Sequence, residues 1–249
     1  MIGLHVRKPE RRGVVWLRDL FLRLTEPVPT ELDGGTRPLR VETLVLGPFQ
    51  SNCFLVRAEG SPRGIIIDPG SDPEQILSRV TDWEGGVSAI LLTHAHLDHV
   101  GAVTEVTRAT GAPIYLHPAD RFLYDAAADQ GRMFGIAVEQ PPAPDAELAD
   151  GQILDFDHIK LSVRYAPGHS PGGVVFVGPG MAFVGDCVFA GSIGRTDLAG
   201  GDMQTLLNSI RRQILTLPAS TVLYSGHGPA TTVEREAASN PFLIDGGFA

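Results

Sequence analysis

Apolar and polar residues alternate in short blocks along the chain from Leu39 onward. Blocks such as Ile65–Ile67 and Ala89–Leu92 are wholly apolar and are followed by turn or polar residues, a pattern typical of buried strands. The strands predicted in this way are Val41–Leu46, Cys53–Arg57, Gly64–Asp68, Ala89–Leu92, Ile114–Leu116, Ile159–Tyr165, Val174–Val177, Ala182–Val184 and Val222–Tyr224.

Helices are predicted between these strands. Asp72 is a favourable N-cap residue and Pro73 fits the first helical turn, so a helix should run from this point to about Trp83. Residues 131–151 lack a periodic pattern and are expected to form a long surface loop. The other predicted helices are about Asp98–Thr110, Pro118–Asp129, Met203–Leu215 and about Val233–Ala238. Strands with helices interspersed in both halves predict an α/β fold in which two sheets pack together with helices outside.

Residues 1–38 differ from the rest of the chain and are predicted to be an N-terminal extension, which leaves residues 39–249 as the main domain. Val14–Leu24 is apolar except at three positions that would share one strip of a helix, namely Arg18, Asp19 and Arg23. We expect an amphipathic helix docked on the body. A dimer contact and a helix at a membrane surface are the alternatives.

The composition is that of an ordinary globular protein, with 43% hydrophobic and 20% charged residues. The formal net charge is −9, and residues 1–38 hold seven basic and five acidic side chains, so the rest of the chain is more acidic still. Such a surface repels a phosphate backbone, which disfavours nucleic acid as a partner. No apolar run approaches the roughly 18 residues of a membrane-spanning helix. The two cysteines, Cys53 and Cys187, fit a reducing compartment, so we expect a cytoplasmic protein.

The strongest chemical signal is a run of three histidines and one aspartate within six residues: His94, His96, Asp98 and His99. In extended backbone, residues two apart face the same side, so His94 and His96 can hold one ion together. Asp98 and His99 lie where the chain bends into a helix and can face a second ion. Imidazole and carboxylate ligands suit zinc, iron or manganese. Because adjacent buried histidines without an ion would be costly to desolvate, the run predicts a metal site.

Four further candidates lie where predicted strands end. His169 and His227 each lie in a turn rich in glycine and proline, where the backbone can approach closely. Asp68 and Asp186 each follow an apolar strand. Five of the eight histidines lie in these contexts, which favours metal binding over isolated structural roles.

With their flanking residues, these motifs resemble the metallo-β-lactamase superfamily, and within it the short glyoxalase II-like hydrolases. The resemblance covers about residues 41–243 and implies an αββα four-layer sandwich with metals in a cleft at one sheet edge. The segments that carry it are Thr93–Gly101 (THAHLDHVG), Gly168–Gly172 (GHSPG), Gly185–Asp202 (GDCVFAGSIGRTDLAGGD), Gly226–Pro229 (GHGP) and Asn240–Leu243 (NPFL).

The resemblance implies a role for each candidate and a catalytic function for residues 39–249. Two divalent ions are implied, zinc with iron or manganese as options. The implied ligands are His94, His96 and His169 for the first ion, Asp98, His99 and His227 for the second, and Asp186 as a bridge between the two. Asp68 would brace the histidine loop instead of binding metal.

The implied activity is hydrolysis of a small-molecule thioester such as S-D-lactoylglutathione by a metal-bound hydroxide that Asp98 orients. Only 22 residues follow His227, so the helical domain that supplies glutathione contacts in full-length glyoxalase II is not expected. Few cations are available for an anionic tripeptide, and the candidate substrate contacts are Arg132, Phe134 and Arg195. We also expect Arg195 to pair with Asp197 and so hold its loop.

Other functions stay open at this point. A mononuclear iron persulfide dioxygenase resembles the same subfamily and also has the Gly194–Asp197 segment. β-Lactamases usually have a cysteine where Asp186 stands, and Cys187 is one residue away, which argues against antibiotic hydrolysis. The acidic body disfavours a nuclease, and the complete ligand set disfavours a non-catalytic sensor or scaffold. Another ester or lactone hydrolase is a further option, since the substrate rests on analogy.

Overall fold

The computed structural model describes residues 37–244. The helix predicted at Val14–Leu24 lies outside these residues, and so does most of the predicted N-terminal extension. None of the helices in the described range is long and apolar enough to cross a membrane.

The first half of the described chain forms a six-stranded sheet. Its strands lie side by side in chain order: β1 (Leu39–Leu46), β2 (Ser51–Ala58), β3 (Arg63–Ile67), β4 (Gly86–Leu91), β5 (Ile114–Leu116) and β6 (Ala146–Glu147). The first three strands are antiparallel, and β3 to β6 are parallel. The connecting helices are α1 (Pro73–Val80), α2 (Leu97–Val100), α3 (Val103–Thr110), α4 (Arg121–Asp125) and α5 (Ala127–Phe134), with a 3₁₀ turn at Pro118–Asp120.

The second half forms another six-stranded sheet. Its strands are β7 (Ile153–Phe156), β8 (Ile159–Tyr165), β9 (Val174–Gly178), β10 (Met181–Gly185), β13 (Val222–Ser225) and β14 (Thr231–Thr232). They lie side by side in the order β14-β13-β10-β9-β8-β7. A small hairpin of β11 (Val188–Phe189) and β12 (Ser192–Ile193) follows β10. The helices of this half are α6 (Met203–Ser209), which continues as a π-helical turn at Ile210–Ile214, and α7 (Val233–Ser239).

Three apolar layers hold these elements together. One layer packs helices α1 to α5 on the first sheet, and another packs α6 and α7 on the second. The middle layer joins the two sheets, where Phe54 of β2 packs against Phe183 of β10 and Tyr224 of β13 with ring centroids 5.2 and 5.6 Å apart. The order helix, sheet, sheet, helix confirms the predicted αββα fold.

The predicted loop at residues 131–151 is wrong at its start, because α5 continues to Phe134. The sequence predicts Gly131 to be a loop residue, but it lies in α5 and allows close packing there. A Cβ atom there would lie 2.6 Å from the carbonyl oxygen of Ile136. The same segment also contains β6, which is too short to show a pattern.

Several predicted helices have different bounds in the structure. The helix expected over Pro118–Asp129 is divided into the 3₁₀ turn at Pro118–Asp120, α4 and α5. The helix expected over Asp98–Thr110 is divided into α2 and α3 around Gly101, whose backbone passes against Gly70. Helix α1 begins at Pro73 as predicted but ends at Val80. Asp72 occupies the N-cap position without capping the helix, because its carboxylate accepts a 2.8 Å hydrogen bond from the Gly47 N–H.

One edge of the molecule collects the ends of five strands. Strands β3 and β4 are parallel, and β8, β10 and β13 run in a common direction. Backbone hydrogen bonds join the two sheets at this edge, from Val174 N to Thr93 O (2.9 Å) and from Asn52 N to Gly226 O (2.7 Å). The candidate residues from both halves therefore meet here.

Candidate metal centre

The histidine loop, residues 93–98, leaves the end of β4 and is held by Asp68 at the end of β3. Asp68 accepts hydrogen bonds from Thr93 N (2.7 Å) and Thr93 Oγ1 (2.6 Å). It has a positive φ of 53°, and its side chain is fully buried. The Oδ2 atom also lies 3.1 Å from His99 Nδ1. Asp68 is thus occupied by protein contacts that fix the loop.

The first donor set consists of His94, His96 and His169, all buried. One ligand atom from each lies within 4.8 Å of the others. His96 Nδ1 is 2.8 Å from His169 Nε2. The Nδ1–H of His169 donates to the Arg195 carbonyl oxygen (2.7 Å), which leaves its Nε2 lone pair directed at the other imidazoles.

The second donor set consists of Asp98, His99 and His227, whose ligand atoms also lie within 4.8 Å of one another. Asp98 Oδ2 is 3.0 Å from His227 Nε2 and 3.6 Å from His99 Nε2. His99 uses Nδ1 for Asp68, so Nε2 is its free donor atom. His227 follows β13, and Ser51 pairs with it in an isolated bridge.

Asp186, the first residue after β10, lies between the two donor sets. Its carboxylate is 3.5 Å from His169 Nε2 in the first set and 3.5 Å from both His99 Nε2 and His227 Nε2 in the second. Gly226 lets this arrangement close, because a Cβ there would lie 2.1 Å from Asp186 Oδ1. One carboxylate thus faces donors of both sets.

The two sets differ in charge. Burial and the neighbouring histidines hold the pKa of His94 well below its ordinary value, and the same causes lower the pKa of His96 to about 4. Burial also opposes charge on His99 and His227, but nearby carboxylates outweigh it and raise their pKa values to about 9 and about 10. His94 and His96 of the first set are thus neutral imidazoles, while His99 and His227 of the second set hold protons when no ion is bound.

Several donor atoms suit a bound cation. Among the buried atoms without a hydrogen-bond partner in residues 37–244, four belong to this centre: His94 Nε2, His96 Nε2, His99 Nε2 and Asp186 Oδ1. An unpaired buried polar atom is costly unless a ligand or ion satisfies it. Two neighbouring sets of imidazole and carboxylate donors therefore fit divalent metal ions.

The predicted substrate contacts are exposed, and both arginines are paired with carboxylates. Arg132 forms an ion pair with Asp129 one helical turn away. Arg195 makes two 2.7 Å hydrogen bonds to Asp197, which confirms the predicted pair. Phe134 is 59% exposed and packs edge-on against Phe49, with ring centroids 5.2 Å apart. Neither arginine is thus an unpaired cation that could bind an anionic substrate without first leaving its carboxylate partner.

Two residues that hold the centre gave no signal in the sequence. Asp120 lies in the predicted helix Pro118–Asp129 and Gln130 directly follows it, yet both bind the backbone of the histidine loop. An aspartate or glutamine in a polar stretch is ordinarily solvated, and only the fold shows that these two point inward.

The fold and the paired donor sets define a metal-binding α/β sandwich. The sequence profile of the metallo-beta-lactamase superfamily matches residues 46–227. The chain belongs to this superfamily.

Among its relatives is the hydroxyacylglutathione hydrolase GloC of Haemophilus influenzae, 36% identical over 82% of this chain and 98% of GloC. Two solved structures are also similar, and each match covers 82% of this chain and all of the other. The B3 metallo-beta-lactamase BLEG-1 is 38% identical with a TM-score of 0.77. TTHA1623, solved in a di-iron-bound form, is 43% identical with a TM-score of 0.75.

Proposed function

We propose that the protein is a dinuclear metal-dependent hydrolase of glutathione thioesters, with S-D-lactoylglutathione as the representative substrate. The observation that carries the proposal is the position of Asp186, 3.5 Å from donors of both sets. The identity to GloC favours this thioester over other substrates of the superfamily.

In this proposal the first donor set would hold one ion and the second donor set the other, with Asp186 available to both. Asp68 stays outside the coordination, since both its oxygens already accept hydrogen bonds from Thr93. Carboxylates in this position orient the histidines that bind the metal.

When bound, the two ions would supply Lewis acidity, lowering the pKa of a shared water and polarising the thioester carbonyl. Asp98 is suited to orient the attacking water, because its side chain is 19% exposed and thus reachable by solvent. The neighbouring His227 is 30% exposed. Attack on the carbonyl carbon breaks the C–S bond and gives a carboxylic acid, D-lactate, and a free thiol, glutathione.

We propose zinc as the native metal, with iron and manganese as options that the same donors allow. Iron has a specific observation in its favour, since TTHA1623 binds two irons and is 43% identical to this chain. Metal analysis of the purified protein distinguishes them.

The small number of residues after His227 does not weigh against a glutathione thioester. The match spans 98% of GloC, so a protein named for hydroxyacylglutathione hydrolysis is covered almost completely by this chain.

A second candidate is β-lactam hydrolysis, because BLEG-1 is named a B3 metallo-beta-lactamase and is 38% identical to this chain. Asp186 in place of the cysteine that is usual in β-lactamases argues against it. A chromogenic cephalosporin tests it in the same assay series.

The deciding experiment measures thiol release from S-D-lactoylglutathione by purified protein of known metal content. His96→Ala, which removes a donor of the first set, serves as the inactive control. We expect rapid release by the wild type and a loss of at least about 100-fold in the variant.

Absence of release from protein that carries two metals would overturn the thioester assignment. Protein that carries a single iron and consumes oxygen with glutathione persulfide would support the dioxygenase alternative. Faster turnover of the cephalosporin than of the thioester would favour the second candidate.

A further inference from the structure

The backbone of the histidine loop is tied at alternate residues. Three buried or partly buried side chains bind the backbone of the odd-numbered residues Thr93, Ala95 and Leu97. The even-numbered residues are His94, His96 and Asp98, which belong to the donor sets. Supports thus alternate with donors along the loop.

Asp120 supplies the middle support and also reaches the second loop of the first donor set. Its Oδ2 accepts hydrogen bonds from Ala95 N (3.0 Å) and Ser170 Oγ (2.8 Å), and its Oδ1 accepts one from Gly172 N. Ala95 separates His94 from His96, and Ser170 follows His169. One carboxylate therefore joins the two loops that carry all three imidazoles.

The fit around Asp120 is close. Asp120 has no solvent exposure. A Cβ atom at Gly172 would lie 2.7 Å from its carboxyl carbon. Gly172 and Ser170, parts of the GHSPG segment that do not belong to the donor sets, thus serve this carboxylate. A buried carboxylate is costly unless its oxygens are satisfied, and here three donors satisfy it.

Gln130 of α5 supports the same loop from the other side. Its Nε2 donates to Ala95 O (3.2 Å) and to Leu123 O (2.8 Å), while its Oε1 accepts from Leu97 N (3.1 Å). Of these three backbone groups, Ala95 O and Leu97 N flank His96. Asp120 and Gln130 together hold both the N–H and the C=O of Ala95.

We propose that Asp120, assisted by Gln130, is a positioning residue of the first donor set, which brings His94, His96 and His169 together before an ion binds. Asp120 has no direct contact with the donor atoms of the set and acts through Ala95, Ser170 and Gly172. The inference rests on the proposed metal function of this centre.

The test is Asp120→Asn, which keeps the side-chain shape but presents an amide N–H₂ to one of the N–H or O–H donors. This substitution is combined with each of two others, so that its effect on each donor set is measured separately. His227→Ala leaves the first donor set intact, and His96→Ala leaves the second. We expect Asp120→Asn to lower the zinc affinity about 10–100-fold in the first background and to leave it unchanged in the second.

Cobalt(II) absorption gives a second readout, because a displaced imidazole changes the ligand field. We expect Asp120→Asn to shift the visible spectrum in the His227→Ala background only. Asp145→Asn is the matched control, since its carboxylate also accepts a backbone N–H, from Ile114 (2.8 Å), away from the histidine loop.

Unchanged affinity and spectrum in the His227→Ala background would overturn the positioning role. Equal losses in both backgrounds, or in Asp145→Asn, would also overturn it, since they indicate general destabilisation. If Asp120→Asn fails to fold by circular dichroism, Ser170→Ala removes a single hydrogen bond and is judged by the same criteria. A wild-type protein that binds no metal would instead refute the proposed function itself.

Discussion

At the scale of single residues, three histidines of the centre have their ring orientation fixed by the protein. Thr93 Oγ1 donates its one hydrogen to Asp68, so it accepts from His94 Nδ1–H at 3.0 Å. His99 and His169 likewise use Nδ1 for Asp68 and for the Arg195 carbonyl oxygen. Each of the three thus directs Nε2 inward, as a metal ligand requires.

The charge difference between the donor sets predicts a difference in proton release. His99 and His227 have raised pKa values of about 9 and about 10, so both are protonated at pH 7 without metal. Metal binding to the second set should therefore release about two protons at pH 7, and fewer as the pH rises through 9 to 10. Because protons compete with the ion, affinity should increase with pH over this range.

Titration calorimetry in two buffers of different ionisation enthalpy measures this release. In His96→Ala, which keeps the second set, we expect about two protons per zinc at pH 7. In His227→Ala, His94 and His96 have lowered pKa values and should contribute none. Equal release from the two variants would contradict the assignment.

Gly226 allows a second prediction. Alanine there would place Cβ 2.1 Å from Asp186 Oδ1 and 2.7 Å from His99 Cε1. We expect Gly226→Ala to lower metal content and activity by at least about tenfold, because the Asp186 carboxylate, which faces both donor sets, must move. Metal analysis checks this, with Gly178→Ala as control, where a Cβ would meet only flexible side-chain atoms at 3.0 Å or beyond. Full metal content in Gly226→Ala would refute the argument.

At the scale of elements, sequence and structure agree best where a strand is long enough to show a clear hydrophobic pattern. Strand β8 spans Ile159–Tyr165 as predicted, because its alternating pattern is strong. Strands β6 and β14 have two residues each, which is too few to show a hydrophobic pattern in the sequence. They are strands only because they pair with a neighbouring strand. Donors such as His94 could be predicted because their chemistry is rare, whereas Asp120 could not, because its role depends on long-range contacts.

Gly131 in α5 gives a prediction at this scale. Helix propensity favours Gly131→Ala by about 1 kcal/mol. The new Cβ would however lie 2.6 Å from the Ile136 carbonyl oxygen, and overpacking costs about 1–3 kcal/mol. We expect a net decrease in the free energy of unfolding, measured by urea denaturation. Increased stability would show that the Ile136 segment shifts without cost.

At the scale of the whole molecule, the middle apolar layer decides whether the two sheets stay together. Phe54 is 1% exposed and contacts rings from two strands of the opposite sheet. Phe54→Ala should lower the free energy of unfolding by about 3–5 kcal/mol. Denaturant unfolding of the metal-free protein measures this effect. Val45→Ala, at a side chain 61% exposed, is the control and should change stability by less than about 0.5 kcal/mol.

Because both sheets contribute donors to the metal centre, the metal supply should affect the lifetime of the folded protein. Donors from residues 94 to 227 must converge before an ion is fully bound, so the ion binds the folded chain and not the open one. At a free concentration 1,000 times its dissociation constant, such an ion stabilises the fold by about 4.1 kcal/mol. Under metal starvation the chain should therefore open more often and be degraded faster. Its abundance would then follow the metal supply, even with unchanged synthesis.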